Sequence, residues 1–211
     1  VWGSNINSSS PWRFSGSNFN FENVTFCFSV KSNSNIKILK EIKKFNIGAD
    51  VVSIGELMKA LKAGIKPQKI VFSGVGKTTK EIEYAITKNI LLINTESKSE
   101  ILEIEKIAKK KKKIINIGIR LNPNTDAKTL SQISTGKKEN KFGVNQKIFL
   151  QLVNYLKDSK YLNLKCLSVH IGSQILNHKP YENMLKVVDK IISKSNHKFE
   201  YIDLGGGMGI D

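Results

Sequence analysis

The chain has 211 residues, 40% of them hydrophobic, and its formal net charge at pH 7 is +16. This length and apolar content are sufficient for one domain with a sizeable core. A strongly basic chain suggests nucleic-acid or acidic-membrane binding, but the lysines are spread over predicted helix surfaces. The one dense run, residues 109–113, contains no aromatic residue on which a base could stack. No apolar run approaches the ~20 residues needed to span a bilayer, so we expect neither nucleic acid nor a membrane as partner.

The first 22 residues differ in composition from the rest. Residues 1–22 are rich in Ser, Asn and Gly and show no helical or strand period, which is typical of flexible low-complexity segments. A regular pattern begins at residue 23, so we interpret 23–211 as the folded unit. Cys27 and Cys166 lie in apolar runs and are predicted to be buried core thiols of a cytoplasmic protein.

Seven apolar, β-branched runs are predicted to be strands, and helical patterns lie between them. The predicted strands cover residues 24–30, 49–53, 69–73, 91–95, 114–121, 164–171 and 199–204. Two helices are predicted to begin with capping boxes, one formed by Thr78 and Glu81 and the other by Ser97 and Glu100. Gly48 is predicted to end the first helix.

Repeated strand–helix units with short connections predict a parallel sheet, either a closed barrel or a doubly wound open sheet. Polar residues follow nearly every predicted strand. This pattern favours the barrel, in which every strand brings groups to the carboxyl-end face. We therefore predict an α/β fold, a TIM-type (β/α) barrel. Seven of its eight strands are accounted for before the chain stops at Asp211, so we expect an incomplete barrel.

Lys31 is the first candidate for a reactive side chain. It directly follows the apolar run 24–30 and would lie at the carboxyl end of the first strand. Partly apolar surroundings there would favour the neutral amine that Schiff-base chemistry requires. Among 34 Lys and Arg residues, a single lysine is more simply a surface residue, and only its neighbours can decide.

A run of three glycines follows the last predicted strand. Gly205, Gly206 and Gly207 would let the backbone approach an anion and direct several N–H groups at it, so a phosphate is the natural ligand. A simple tight turn is the alternative.

Residues 72–79 superficially resemble a nucleotide-binding P-loop, with Lys77 as its lysine. That motif requires a glycine at the position of Val71, which lies inside a predicted strand. Nucleotide hydrolysis is therefore not expected.

His170 lies at the end of the sixth predicted strand, with Ser173 just beyond it. Taken alone, it is more simply a hydrogen-bonded structural histidine. Opposite Lys31 in a barrel, it would instead present a flat ring to a flat cofactor. The connection from residue 122 to residue 145 is longer than most loops without a function, so we expect an active-site loop there.

Eight segments carry a family resemblance, in this order: SVKSNSN, GADVVSIGEL, IVFSGVGKT, IRLNPNTD, ISTG, KFGV, VHIGSQI and YIDLGGGMGI. Together they resemble the pyridoxal-phosphate-dependent decarboxylases built on an alanine-racemase-like barrel, and most nearly the diaminopimelate decarboxylases. The resemblance implies a barrel followed by a β-sheet domain, pyridoxal 5'-phosphate as cofactor, and homodimers with shared active sites. The implied reaction is decarboxylation of an amino acid, meso-diaminopimelate, to L-lysine and CO₂ in lysine biosynthesis.

The resemblance also implies roles for individual residues. Lys31 would bind the cofactor covalently, and His170 would stack on its pyridine face. One hydroxyl and three backbone N–H groups would hold the phosphate, those of Ser173, Gly205, Gly206 and Gly207. Three further side chains match polar positions that line the cofactor pocket: Asp50, Glu56 and Arg120.

Two alternatives remain open. Sister decarboxylases acting on ornithine, arginine or carboxylated polyamines would share Lys31, His170 and the glycines. A non-catalytic pyridoxal-phosphate-binding barrel is the alternative from a different class. The family's acidic partner for the pyridine nitrogen and its substrate-binding arginines do not occur before Asp211, so we expect the chain alone to be nearly inactive. The three histidines have no metal-ligand spacing, and no metal site is predicted.

Overall fold

The computed structural model describes residues 24–124 and 142–209. In these residues seven strands alternate with six α-helices. The strands are β1 (Cys27–Ser29), β2 (Gly48–Val51), β3 (Ile70–Phe72), β4 (Leu92–Thr95), β5 (Ile115–Arg120), β6 (Leu162–Ser168) and β7 (Tyr201–Asp203). The helices are α1 (Ile36–Lys44), α2 (Ile54–Lys62), α3 (Thr79–Lys88), α4 (Lys98–Lys111), α5 (Gln146–Lys157) and α6 (Lys179–Ser195), and short 3-10 turns cover Val30–Ser32 and Pro67–Lys69. The predicted low-complexity segment 1–22 and most of the predicted active-site loop lie outside the described residues.

The seven strands form one parallel sheet whose spatial order is the order of the sequence. The side-chain amide of Asn94 on β4 donates to the carboxylate of Asp203 on β7 at 2.8 Å. In a flat sheet these strands would stand roughly 14 Å apart. The sheet therefore curls round to bring β4 and β7 face to face, as in a TIM-type barrel, and the predicted fold class is confirmed.

Side chains of β3 show how the strands divide the core. Ile70 and Phe72 pack among the helices in the larger apolar cluster, whereas Val71 between them joins a smaller cluster with Leu92 and Cys166. Alternation along the strand thus sends neighbouring side chains to opposite faces of the sheet. Among the described residues, no helix is both long and apolar enough to cross a bilayer.

Both cysteines are free thiols in strands; Cys166 is buried, as predicted, whereas Cys27 is only partly buried against the same small cluster. Burial raises the pKa of the Cys27 thiol to about 12, and burial likewise raises the pKa of Cys166. Because only the thiolate is a good nucleophile, both groups are inert packing residues here.

The predicted helix starts are largely confirmed. Thr78 and Glu81 form a complete capping box at the start of α3. Ser97 accepts the N–H of Glu100 at the start of α4, but the Glu100 carboxylate accepts the N–H of Glu96 rather than that of Ser97. This carboxylate therefore ties the helix to the end of β4.

The prediction that Gly48 ends the first helix is wrong. Helix α1 ends at Lys44, and Asn46 adopts the left-handed conformation with φ of 61°. Asn tolerates this conformation because its short polar side chain reduces the steric cost. Gly48 lies inside β2, where a Cβ would overlap the carbonyl oxygen of Lys69. A glycine is required at this position because the backbone at Lys69 approaches too closely to leave room for a side chain.

Candidate active site

Lys31 and His170 lie on the same rim of the sheet. Lys31 occupies the 3-10 turn directly after β1, and His170 follows β6 by two residues. In the parallel pairing of β1 with β2, Ser29 lies beside Asp50, so Lys31 follows the neighbour of Asp50 by two residues on this rim. The partly apolar surroundings expected for Lys31 are not seen in the described structure, because its side chain is exposed.

His170 is a neutral imidazole at pH 7. Burial, followed by the charges of Arg120 and Lys31, lowers its pKa to about 4. The backbone N–H of Gly206 donates to its Nδ1 at 3.4 Å, so Nδ1 is the acceptor and the ring proton is on Nε2. The ring is thus held, uncharged, beside the glycine loop, which we define as residues 203–209.

Asp50 on β2 carries the second perturbed group of this rim. Burial raises its pKa to about 6, while a hydrogen bond from Ser73 and the charge of Lys31 act in the opposite direction. Its Oδ1 is buried and accepts no hydrogen bond within the described residues. Such an orphaned acceptor is costly, and a donor on a bound ligand would satisfy it.

The glycine loop is held in a shape that requires glycine at two positions. Gly205 and Gly207 have φ of 69° and 93°. A Cβ on Gly205 would lie 2.7 Å from Nδ1 of His170, and one on Gly207 would overlap the carbonyl oxygen of Gly172. A Cβ on Gly206 would meet no atom within 4 Å. The loop therefore packs tightly on both sides and is open at its centre.

The N–H groups of the glycine loop do not all face the open side. The Gly205 N–H donates to Oδ1 of Asp203 at 2.8 Å, so it is not directed at a ligand as we expected. The Tyr181 hydroxyl donates to the carbonyl oxygen of Gly206 at 3.1 Å and fixes the loop from α6. The Gly206 N–H donates to Nδ1 of His170, so an anion would be bound mainly by the N–H of Gly207, and by that of Gly206 only if it turned away from the His170 ring.

Arg120, at the end of β5, is bound to a residue that the sequence predictions missed. Its guanidinium donates to Oε1 of Glu96 at 2.9 Å, and the side chains are only 11% and 5% exposed. The other Glu96 oxygen accepts the N–H of Gly143 at 2.8 Å, and Arg120 lies over the Phe142 ring at 4.9 Å. Glu96 thus joins the two ends of the predicted active-site loop. Its position directly after a strand is the only sequence signal for this role.

Two predicted site residues occupy less central positions. The Glu56 carboxylate accepts the N–H of Val52 at 2.9 Å, and its own N–H is capped by Ser53. Glu56 therefore stabilises the start of α2. Ser173 is exposed, just beyond Gly172 in the connection to α6. In the described ranges, no group of three or more His, Cys, Asp and Glu residues could hold a metal ion.

The chain is similar to a group of decarboxylases of known sequence. The diaminopimelate decarboxylase of Helicobacter pylori strain J99 is 47% identical over 187 residues, which are 87% of this chain and 46% of that protein. The diaminopimelate decarboxylase of Aquifex aeolicus is 42% identical over 193 residues, or 90% of this chain and 46% of that protein. The chain therefore spans about half the length of the relatives it matches.

A solved structure shows the same similarity in three dimensions. The crystal structure of diaminopimelate decarboxylase from Helicobacter pylori complexed with L-lysine superposes with a TM-score of 0.86 at 46% identity, covering 88% of this chain and 48% of that one. The family model described as the pyridoxal-binding domain of pyridoxal-dependent decarboxylases matches residues 12–211. The chain belongs to this decarboxylase family, and nearly all of it corresponds to the pyridoxal-binding domain.

Proposed function

We propose that the chain is the cofactor-binding part of a decarboxylase that uses pyridoxal 5'-phosphate to convert meso-diaminopimelate to L-lysine and CO₂. The convergence of Lys31, His170 and the glycine loop on one rim is the observation that carries this proposal. The relatives named diaminopimelate decarboxylase, one of them in complex with L-lysine, support the choice of substrate.

The residues of this rim fit the cofactor. A pyridoxal phosphate needs an amine, a flat uncharged neighbour and an anion site. The exposed Lys31 amine, the neutral His170 ring and the open centre of the glycine loop at Gly206 supply these. The orphaned Oδ1 of Asp50 offers a buried acceptor for a donor on the ligand.

Each residue then has a defined task. Lys31 would hold the aldehyde carbon of the cofactor and release it to the substrate amine. His170 would fix the plane of the ring, and its neutral state avoids placing a second buried charge there. The N–H of Gly207 and the Ser173 hydroxyl would bind the phosphate, and the N–H of Gly206 would join them if it turned from Nδ1 of His170. Once bound, pyridoxal phosphate supplies the electron sink for the pair left behind by departing CO₂.

Arg120 and Glu56 are proposed to line the pocket through the structure they maintain. Arg120 acts on His170 by charge and holds the base of the loop after β5 together with Glu96. Glu56 keeps the end of β2, and hence Asp50, joined to α2. We also propose a homodimer and a cytoplasmic location, the latter supported by the two free thiols.

The first test is covalent capture of the cofactor. The chain is incubated with pyridoxal phosphate, reduced with borohydride and analysed by peptide mass spectrometry. We expect an adduct on Lys31 that Lys31→Ala abolishes, whereas Lys37→Ala, which replaces an exposed lysine of α1, retains it. An unchanged amount of adduct in Lys31→Ala would show that another lysine is modified.

The second test concerns the reaction. The whole protein that carries this sequence is assayed for CO₂ release from meso-diaminopimelate, ornithine and arginine. Release from meso-diaminopimelate alone supports the proposal. Release from one of the others would assign a sister activity, and cofactor binding without any CO₂ release would indicate a non-catalytic protein.

A further inference from the structure

Asp203 is a buried carboxylate to which none of the roles above is assigned. It ends β7 and is only 6% exposed. Its Oδ2 accepts the side-chain amide of Asn94 at 2.8 Å and the hydroxyl of Ser168 at 3.0 Å, and its Oδ1 accepts the N–H of Gly205 at 2.8 Å. One oxygen thus faces the interior of the barrel and the other faces the glycine loop.

Asn94 is itself held from several sides. It is 1% exposed, its side-chain amide also donates to the Ser73 hydroxyl at 3.3 Å, and its main-chain carbonyl accepts from the buried ammonium of Lys77 at 2.7 Å. Its Oδ1 lies so close over Gly118 on β5 that a Cβ there would overlap it. The amide of Asn94 therefore has little freedom to rotate away from Asp203.

We propose that Asn94 and Asp203 form a positioning pair that sets the conformation of the glycine loop for phosphate binding. The identification of the ligand as phosphate rests on the proposed function. Asp203 captures the N–H of Gly205, a left-handed residue, and so fixes the direction of the peptide groups that follow it at Gly206 and Gly207. Asn94 fixes the rotation of the Asp203 carboxylate from across the barrel.

Because Asp203 is negatively charged, an electrostatic effect and a positioning effect of this residue predict opposite changes in phosphate binding. A negative charge behind an anion site repels the anion, so electrostatics alone predict that Asp203→Asn would tighten phosphate binding. If Asp203 instead positions the glycine loop, Asp203→Asn should weaken phosphate binding. An asparagine at 203 has one acceptor oxygen where the carboxylate accepts from Asn94, Ser168 and Gly205, so either Asn94 or Gly205 would face another donor.

An exchange of the two side chains should restore the pair. In Asn94→Asp/Asp203→Asn, the amide at 203 donates to the carboxylate at 94, and its oxygen remains available to the N–H of Gly205. Thr95→Val is the matched control. It removes a buried hydrogen bond from the same strand, the 2.7 Å contact of the Thr95 hydroxyl with the Gly118 carbonyl, without touching Asp203.

The binding experiment titrates the 211-residue chain and its variants with pyridoxal phosphate and with pyridoxal, which lacks the phosphate. We expect Asp203→Asn to bind pyridoxal phosphate about tenfold more weakly, with little change for pyridoxal. The exchanged double variant should recover to within about threefold of wild type, and Thr95→Val should bind like wild type. Equal or tighter binding of pyridoxal phosphate by Asp203→Asn would overturn the proposal.

A second measurement needs no ligand. Amide hydrogen exchange by NMR should show Gly205 protected in wild type and in the double variant, and exchanging faster in Asp203→Asn. Unchanged protection of Gly205 in Asp203→Asn would also overturn the pair. If wild type shows this protection pattern but does not bind pyridoxal phosphate, the proposed function fails while the hydrogen-bonded pair stands. The two failures are therefore distinguishable.

Discussion

Two glycine-containing turns lie at the carboxyl ends of the strands, and they use their glycines in opposite ways. In the lysine turn, which we define as residues 73–78, the ammonium of Lys77 donates to the carbonyls of Gly74 and Asn94 at 2.6 and 2.7 Å. It also pairs with Glu100 at 2.7 Å and is 1% exposed. The turn therefore closes around its own lysine.

The glycine loop contains no such side chain. A Cβ at its centre, Gly206, would meet no atom within 4 Å, and the His170 ring beside it has a pKa lowered chiefly by burial. A glycine-rich sequence thus predicts only that the backbone can approach something closely. Whether that partner is a ligand or the protein's own lysine depends on which side chains are within reach.

The strongest test of this contrast is to remove the internal partner of the lysine turn. Lys77→Met leaves the Glu100 carboxylate buried without its cation, so we expect a loss of about 3–5 kcal/mol in the free energy of unfolding. Lys80→Met replaces an exposed lysine of the following helix and should change stability by less than about 0.5 kcal/mol. Urea denaturation measures both. A loss below about 1 kcal/mol for Lys77→Met would mean that the ion pair does not hold the turn.

The raised pKa of Asp50, on the same rim as the glycine loop, should appear as a pH dependence of stability. The folded pKa of Asp50, about 6, lies above its ordinary value of 3.8, so the folded state binds more protons between these limits and loses stability as pH rises. Asp50→Asn lacks this loss. Its stability relative to wild type should rise by about 1.4 kcal/mol per pH unit from pH 4 to 6, about 3 kcal/mol in all.

Denaturation of both proteins at pH 4, 5, 6 and 7 measures this difference. Asn183→Ala, which removes no ionisable group from an exposed position of α6, should show a difference from wild type that hardly varies with pH. A flat difference for Asp50→Asn as well would mean that Asp50 titrates normally.

Alanine substitutions compare the backbones of the two turns directly. Gly207→Ala combines a φ of 93° with overlap on the carbonyl of Gly172, so we expect a loss of stability of about 3 kcal/mol or slightly less. Gly76→Ala in the lysine turn has a φ of 74° but open space, so the backbone cost of about 1 kcal/mol should remain alone. Thermal or urea unfolding gives the order, and equal losses would contradict the packing argument.

The smallest effect on stability is expected at the centre of the glycine loop. A methyl group at Gly206 meets no atom within 4 Å, so Gly206→Ala should change stability by less than about 0.5 kcal/mol. It would nevertheless occupy the side proposed for phosphate, so pyridoxal phosphate should bind about tenfold more weakly. Isothermal titration and unfolding on the same preparation test both parts. Unchanged affinity would place the phosphate elsewhere.

Local sequence signals predicted most of the fold. All seven strands lie within or close to their apolar runs, and the capping box of Thr78 and Glu81 is present as expected. These features depend on neighbouring residues, which a sequence displays directly. The error at Gly48 arose because glycine serves two purposes, ending helices and admitting close packing in strands, and the sequence does not distinguish them.

The candidate site was less accessible to prediction because its contacts join distant residues. Lys31 and His170 could be placed on one rim from strand order alone. The pair of Asn94 with Asp203 could not, since it depends on how far the sheet curls, and the pair of Glu96 with Arg120 depends on the register between β4 and β5. The roles of Lys31, Asp50, Glu56, Arg120, His170, Ser173 and the glycines in cofactor binding remain predictions.

The contact between Asn94 and Asp203 also limits how early the chain can fold completely during its synthesis. The partners are separated by 109 positions, and translation at about 5–20 residues per second would separate their emergence by roughly 5–20 s. Until β7 leaves the ribosome, the buried amide of β4 lacks its carboxylate acceptor. The interior of the nascent chain therefore stays incompletely packed during this interval. We expect a chaperone that covers the exposed apolar surface in that time to raise the yield of folded protein.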